Sequence, residues 1–134
     1  MINRIDEIYQ EIADVLVDAI PENWRQVKVY AEVAGIESSV FFYYYPTKSD
    51  TAVFSADIPK KFKAYKDLYA QLLEELEVTF SQLWFELKEE NDEPWTSVTY
   101  TLTDEGEVNV HFSYDDLSML SVEEKQHNWE TKNL

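Results

Sequence analysis

From Ile2 to Ile20 the apolar residues Ile5, Ile8, Ile12, Val15, Leu16 and Ala19 return every three or four positions, the period of an amphipathic helix, and Pro21 ends it. The acids Glu7, Glu11, Asp14 and Asp18 keep the same spacing on another side, so this helix carries an apolar face and a carboxylate stripe. After Trp24 the period shortens to two. Val27, Val29, Ala31 and Val33 alternate with Lys28, Tyr30 and Glu32, which predicts a strand with one buried face ending near Gly35. The run Val40 to Tyr45 has high β propensity and large side chains on both faces. It is either a central strand covered twice or a source of exposed aromatic surface, and Pro46 closes it. A short third strand is expected over Thr51 to Ser55, after which Asp57-Ile58-Pro59 breaks regular structure.

The helical period resumes for the longest element, about Ala64 to Glu90. Leu68, Leu72, Leu76, Phe80, Leu83 and Leu87 mark its apolar side. At 100° per residue Val78 and Phe85 fall opposite, on a stripe shared with Asp67, Gln71, Glu74 and Gln82. That pair is either covered by another element, the favoured expectation, or available to a partner. Beyond the acidic turn Glu89 to Pro94, Val98, Tyr100 and Leu102 and then Val108, Val110 and Phe112 alternate with polar residues, and Asp104-Glu105-Gly106 reads as the tight turn of a hairpin. Ser121 with Glu124 is a capping-box signal for a terminal helix through Trp129. The fold class is therefore α+β: an antiparallel sheet of about five strands with helices packed on one face, in the order α-β-β-β-α-β-β-α.

Composition supports this picture. A chain of 134 residues and 15.8 kDa suits one domain with one core, expected over 1–134, and 45% hydrophobic residues are enough to fill it. No cysteine is present, which excludes disulfides, thiolate metal sites and a cysteine nucleophile and fits a reducing compartment. No leader pattern and no long apolar run appear, so a cytoplasmic protein is expected. The charge changes the picture more. With 27 acidic residues against 11 basic ones the formal net charge is −16, a field that repels nucleic acid and anionic membranes and favours a basic partner, unless it serves solubility alone.

Signals of catalysis are weak. His111 and His127 have no neighbouring cysteine or histidine to complete a metal set, and two glycines, Gly35 and Gly106, cannot build a phosphate-cradling loop or a dinucleotide fingerprint. No nucleophile elbow surrounds a serine, and neither Asn91-Asp92-Glu93 nor Asp115-Asp116 has the frame of a calcium loop. No catalytic residue, metal or cofactor is assigned. The acids instead gather in candidate partner-binding clusters: Glu86, Glu89, Glu90, Asp92 and Glu93 at one helix end, Asp104, Glu105 and Glu107 at the hairpin, and Tyr114, Asp115 and Asp116 after the last strand. Solvated charge collects at such places anyway. Carboxylates at a helix C-terminus, however, oppose the macrodipole, and a surface kept at local cost is often a binding surface. Tyr43, Tyr45, Phe85 and Tyr114 are candidate aromatic anchors, with a core or sheet-covering role as the alternative for each.

Several segments carry a resemblance as well. IYQEIADVLVDAIPENW at 8–24, VYAEV at 29–33, FFYYYP at 41–46, DIP at 57–59, EPWTSVTYTL at 93–102 and FSYDDLS at 112–118 together resemble the YezG/EsaG-type immunity proteins, antitoxins to secreted polymorphic nuclease toxins of Gram-positive bacteria. The tail departs from that pattern, because Trp129-Glu130-Thr131-Lys132 lacks the further aromatics of the family's end. The resemblance implies an inhibitor without enzymatic activity that binds a cognate basic nuclease toxin domain inside the producing cell. The alternatives are an acidic adaptor or chaperone for another basic protein, and a small carboxylate-dependent enzyme or metal-binding protein.

Overall fold

The computed structural model describes residues 4–34, 37–90 and 94–134, with Glu90 as backbone only. The expected helix start at Ile2 and strand end at Gly35 lie outside them. The elements run α1 (Arg4–Ala19), β1 (Trp24–Ala34), β2 (Glu37–Pro46), β3 (Val53–Phe54), a 3-10 turn (Ser55–Asp57), α2 (Ile58–Lys61), a second 3-10 turn (Lys63–Tyr65), α3 (Lys66–Glu90), β4 (Ser97–Thr103), β5 (Val108–Ser113) and α4 (Val122–Asn133). The α+β class, the five antiparallel strands and the order of the main elements are those expected, with one-turn helices added between β3 and α3. The third strand is shorter than expected. In space the strands lie β3-β2-β1-β4-β5, every neighbouring pair antiparallel.

One face of the sheet supports the main core. Ile8, Ile12 and Leu16 of α1 and Leu76, Phe80 and Leu83 of α3 are buried against Val27, Val29, Ala31, Phe42, Tyr44, Val98, Tyr100 and Leu102. Each such side chain contributes about 1.5–3 kcal/mol by leaving water, so the three-and-four spacing of α1 is what fixes it to the sheet. Two polar tips in this core are satisfied: Tyr100 donates to the Tyr9 carbonyl at 2.8 Å, and Trp84 Nε1 donates to the Trp95 carbonyl at 2.9 Å. The second bond ties the C-terminal half of α3 to the lead into β4.

Stacking of helices on one face holds for α1 and α3 but not for α4, which crosses to the other face. The cause lies in β2, whose Phe42 and Tyr44 point into the main core while Phe41 and Tyr43 point away from it. Aromatic side chains on both faces require cover on both. Trp129, the buried residue of α4, packs against Tyr30, Phe41 and Tyr43 with ring centroids 6.2, 5.3 and 5.7 Å away, and its Nε1 donates to Thr99 Oγ1 at 2.9 Å. The polar side of β1 docks the same helix. Lys125 of α4 pairs with Glu32 at 2.8 Å, and Lys28 donates to the Asn133 carbonyl at 2.5 Å. The expected capping box starts α4: Ser121 Oγ accepts from the Glu124 amide at 3.1 Å and the Glu124 carboxylate accepts from the Ser121 amide at 3.2 Å. At the β4–β5 hairpin Gly106 takes φ +88°, where an L side chain is strained.

Candidate interaction surface

The acidic clusters read from the sequence do not converge. Residues Asp104, Glu105 and Glu107 are exposed on the hairpin, at the sheet end where β1 begins; the Asp104 amide donates to the Arg25 carbonyl. Glu89, exposed, and Glu86, half-buried, lie at the other end with the C-terminus of α3. Those two ends are separated by the length of β4, about 20 Å at 3.3 Å per residue. Asp115 and Asp116 follow β5 at the same end as Glu86 but border the α4 face, in a recess that also holds Tyr30, Lys125 and Trp129. Asp116 has a local task, since its carboxylate accepts from the Ser118 amide at 3.0 Å, and bonds from Ser118 hold its pKa below the usual carboxylate value. Asp92, Glu93 and the Glu90 side chain lie outside the described residues.

The aromatic candidates separate as well. Tyr43 is buried under α4, with its hydroxyl accepting from Gln126 at 2.9 Å, and Tyr45 lies beneath the Arg25 guanidinium, 4.6 Å from the ring centroid. Phe85 and Tyr114 stay 44% and 51% exposed. Val78 is 53% exposed, so the expected cover over Val78 and Phe85 is absent among the described residues. The physical reason is that α4, the helix free to supply it, is spent on the opposite face.

What the sequence reasoning did not assemble is the surface between α1 and α3. An open groove of about 590 Å³ runs between them, with Glu11, Asp14 and Asp18 on one rim, Glu74 and Glu75 on the other, and Val15, Val78 and Thr79 among its lining. A second groove of about 710 Å³ adjoins it, sharing Glu74, Val78 and Gln82 and adding Glu37, Glu77 and Phe85. Among the described residues, no lysine or arginine lines either groove. Arg4 pairs with Glu11 at 3.1 Å, whereas among the described residues Asp18, Glu37, Glu74, Glu75 and Glu77 have no cation within 4.0 Å. Burial, and after it the charge of Glu74, pushes the Glu77 carboxyl above its ordinary pKa, as expected where like charges crowd at the edge of a low-dielectric surface. The signal was present in the chain as two stripes, Glu11-Asp14-Asp18 and Gln71-Glu74-Val78-Gln82-Phe85; only their juxtaposition required the fold.

Part of the basic charge is gathered in one segment. Lys60, Lys61, Lys63 and Lys66, four of the 11 in the chain, fall within the short segment that includes α2 and the start of α3. Charge separation of this kind orients an approaching partner as well as attracting it. Among the described residues no group of three or more His, Cys, Asp or Glu is placed to hold a metal ion, and no helix is long and apolar enough to cross a membrane.

Fold and surface define a small acidic α+β protein whose prominent feature is a pair of open, carboxylate-lined grooves over a helical layer. Its sequence assigns the family: residues 5–134 match the YezG-like immunity proteins, and the chain belongs to that family, by class an inhibitor and not an enzyme. Similar proteins include the immunity protein YezG of Bacillus subtilis (strain 168), 36% identical over 97% of this chain and 87% of the relative, and its namesake in Bacillus spizizenii, 32% identical over 98% and 83%. The type VII secretion system protein EsaG of Staphylococcus aureus is 34% identical over 84% of this chain and 69% of its own length. The resemblance carried by the IPENW, YYYP, EPWT and YDDL segments is confirmed by these matches.

Proposed function

We propose that this immunity protein neutralises a basic nuclease toxin in the cytoplasm of the cell that makes both, by placing its acidic surface against the toxin's nucleic-acid-binding cleft. The observation that carries the reading is the pair of adjoining grooves lined by carboxylates and, among the described residues, by no lysine or arginine. A nuclease must attract a duplex bearing about one negative charge per 1.7 Å, so its cleft is rich in Lys and Arg. An acidic protein competes for the same field. Long-range charge speeds the encounter, and contacts formed at short range then hold the complex. The hairpin acids Asp104, Glu105 and Glu107, with Glu86, Glu89, Asp115 and Asp116, extend the field around the grooves and serve mainly in steering.

The test is a DNA-cleavage assay with a basic nuclease toxin domain encoded beside this chain. Purified protein is expected to block cleavage at equimolar ratio, with an association rate that falls steeply as salt rises. Binding at low salt with cleavage untouched would instead make the protein an acidic adaptor.

A further inference from the structure

We infer that the α1–α3 groove, with the groove that continues from it along α3, receives an amphipathic α-helix of the partner, one with an apolar ridge flanked by lysine and arginine. This rests on the toxin-neutralising reading and names the part of the partner that is gripped.

Three observations specify a helix as the occupant. The outward stripe of α3 recurs at seven residues: Gln71, Val78 and Phe85 are each two turns apart, about 10 Å along the axis, with Glu74 and Gln82 between them. Only Val78 and Phe85 of that stripe are apolar, so it forms a short ridge in a polar face, with the two-turn spacing at which the side chains of a facing helix also recur. The valley between α1 and α3 is bounded on both sides by helices, and a third helix seated there would lie at the usual interaxial distance of about 8–10 Å. Val15 and Val78 supply apolar surface in the valley, and Phe85, in the adjoining groove, meets its neighbour Trp84 edge-on with centroids 5.0 Å apart.

Charge specifies what flanks the ridge. Asp14 and Asp18 stand on the α1 rim and Glu74 and Glu75 on the α3 rim, so a helix lying between them meets carboxylates on both sides. A second copy of this chain would bring like charge to like charge. An anionic membrane would do the same. A cationic side chain near Glu77 would offset the burial, and after it the Glu74 charge, that raise its pKa.

The experiment is an NMR titration of the full chain, at near-physiological salt, with a synthetic Leu/Lys amphipathic helix the length of α1, 16 residues. A proline-interrupted peptide of the same composition is the comparison. Saturable binding is expected, with shifts centred on Val15, Val78 and Phe85 and little change at Asp104 to Glu107 or Tyr114. The interrupted peptide and the Val78→Ser/Phe85→Ser variant should each bind about tenfold more weakly. Both substituted side chains are exposed, so circular dichroism should show an unchanged fold. Shifts spread evenly over all acidic surfaces, or affinity unchanged in that variant, would reduce the groove to a nonspecific anion and overturn the inference. Equal affinity for the interrupted peptide would overturn it in favour of an extended basic segment. Concentration-dependent shifts at Val78 without peptide would put a second copy there and overturn it too. The probe is not a nuclease, so its failure leaves the cleavage assay to judge the toxin reading alone.

Discussion

Replacing Trp129 with alanine should release α4 from the sheet. An indole removes about 150–250 Å² from water on burial, which at about 25 cal/mol per Å² corresponds to about 4–6 kcal/mol. Trp129 is 6% exposed, stacks on Tyr43 at 25° between planes, meets Phe41 edge-on at 87°, and donates a hydrogen bond to Thr99. It is also the buried residue of its helix, so the contacts of Lys125 with Glu32, Gln126 with Tyr43 and Lys28 with Asn133 depend on it. An interior tryptophan truncated in this way costs about 3–5 kcal/mol. Because α4 is the last described element and can detach instead of enclosing a cavity, the low end applies, about 3 kcal/mol. For a chain of this size that lowers Tm by about 10 °C. Calorimetry measures the shift, and hydrogen exchange should show the α4 amides unprotected while those of β1 and β4 keep their protection. A Tm lowered by less than about 2 °C, with α4 still protected, would refute the reasoning.

Two further outcomes follow from other sites. Glu77→Gln should stabilise the protein by about 0.2–0.5 kcal/mol near pH 7, the scale of a like-charge pair three residues apart on a helix. The sign is set by linkage: the folded Glu77 pKa is raised, so the fold binds more protons than the unfolded chain above the ordinary carboxylate pKa, and its stability falls as pH climbs through that window. The gain from Glu77→Gln should therefore vanish below about pH 4 in urea titrations, and a gain that persists there would come from some other cause. Gly106→Ala should cost about 1 kcal/mol and Gly106→Asn less, since no heavy atom lies within 4 Å of the added Cβ and only the φ of +88° is penalised. Equal Tm values for glycine and alanine at this position would contradict that.

Much of the architecture was legible because short-range rules governed it. The spacing of Ile8, Ile12 and Leu16, the alternation of Val27, Val29 and Ala31, and the Ser121–Glu124 cap each specify an element without reference to distant residues. The side on which α4 packs was not legible. Its buried face consists of one tryptophan in a helix that is polar apart from Val122, so no periodic stripe points to the sheet, while of its partners Tyr30 read as the polar side of its strand and Tyr43 as either an anchor or a covered residue. The same cause left Val78 and Phe85 misjudged, because the cover expected for them went elsewhere. For the interaction surface, each carboxylate stripe could be read on its own helix. That Asp14 faces Glu74 across a valley is a consequence of how α1 and α3 share the main core, which only the assembled sheet decides.

The grooves also determine what the protein does in the absence of its partner. A face that gathers Asp14, Asp18, Glu74, Glu75 and Glu77, with no cation paired to them among the described residues, repels its own copies, anionic polymers and anionic lipids alike. Val78 and Phe85 stand open to water amid these carboxylates, which hold anionic surfaces away from them. On the proposed reading one surface would then sort its partners in two stages, charge setting which molecules are drawn in and the small apolar ridge which of those remain.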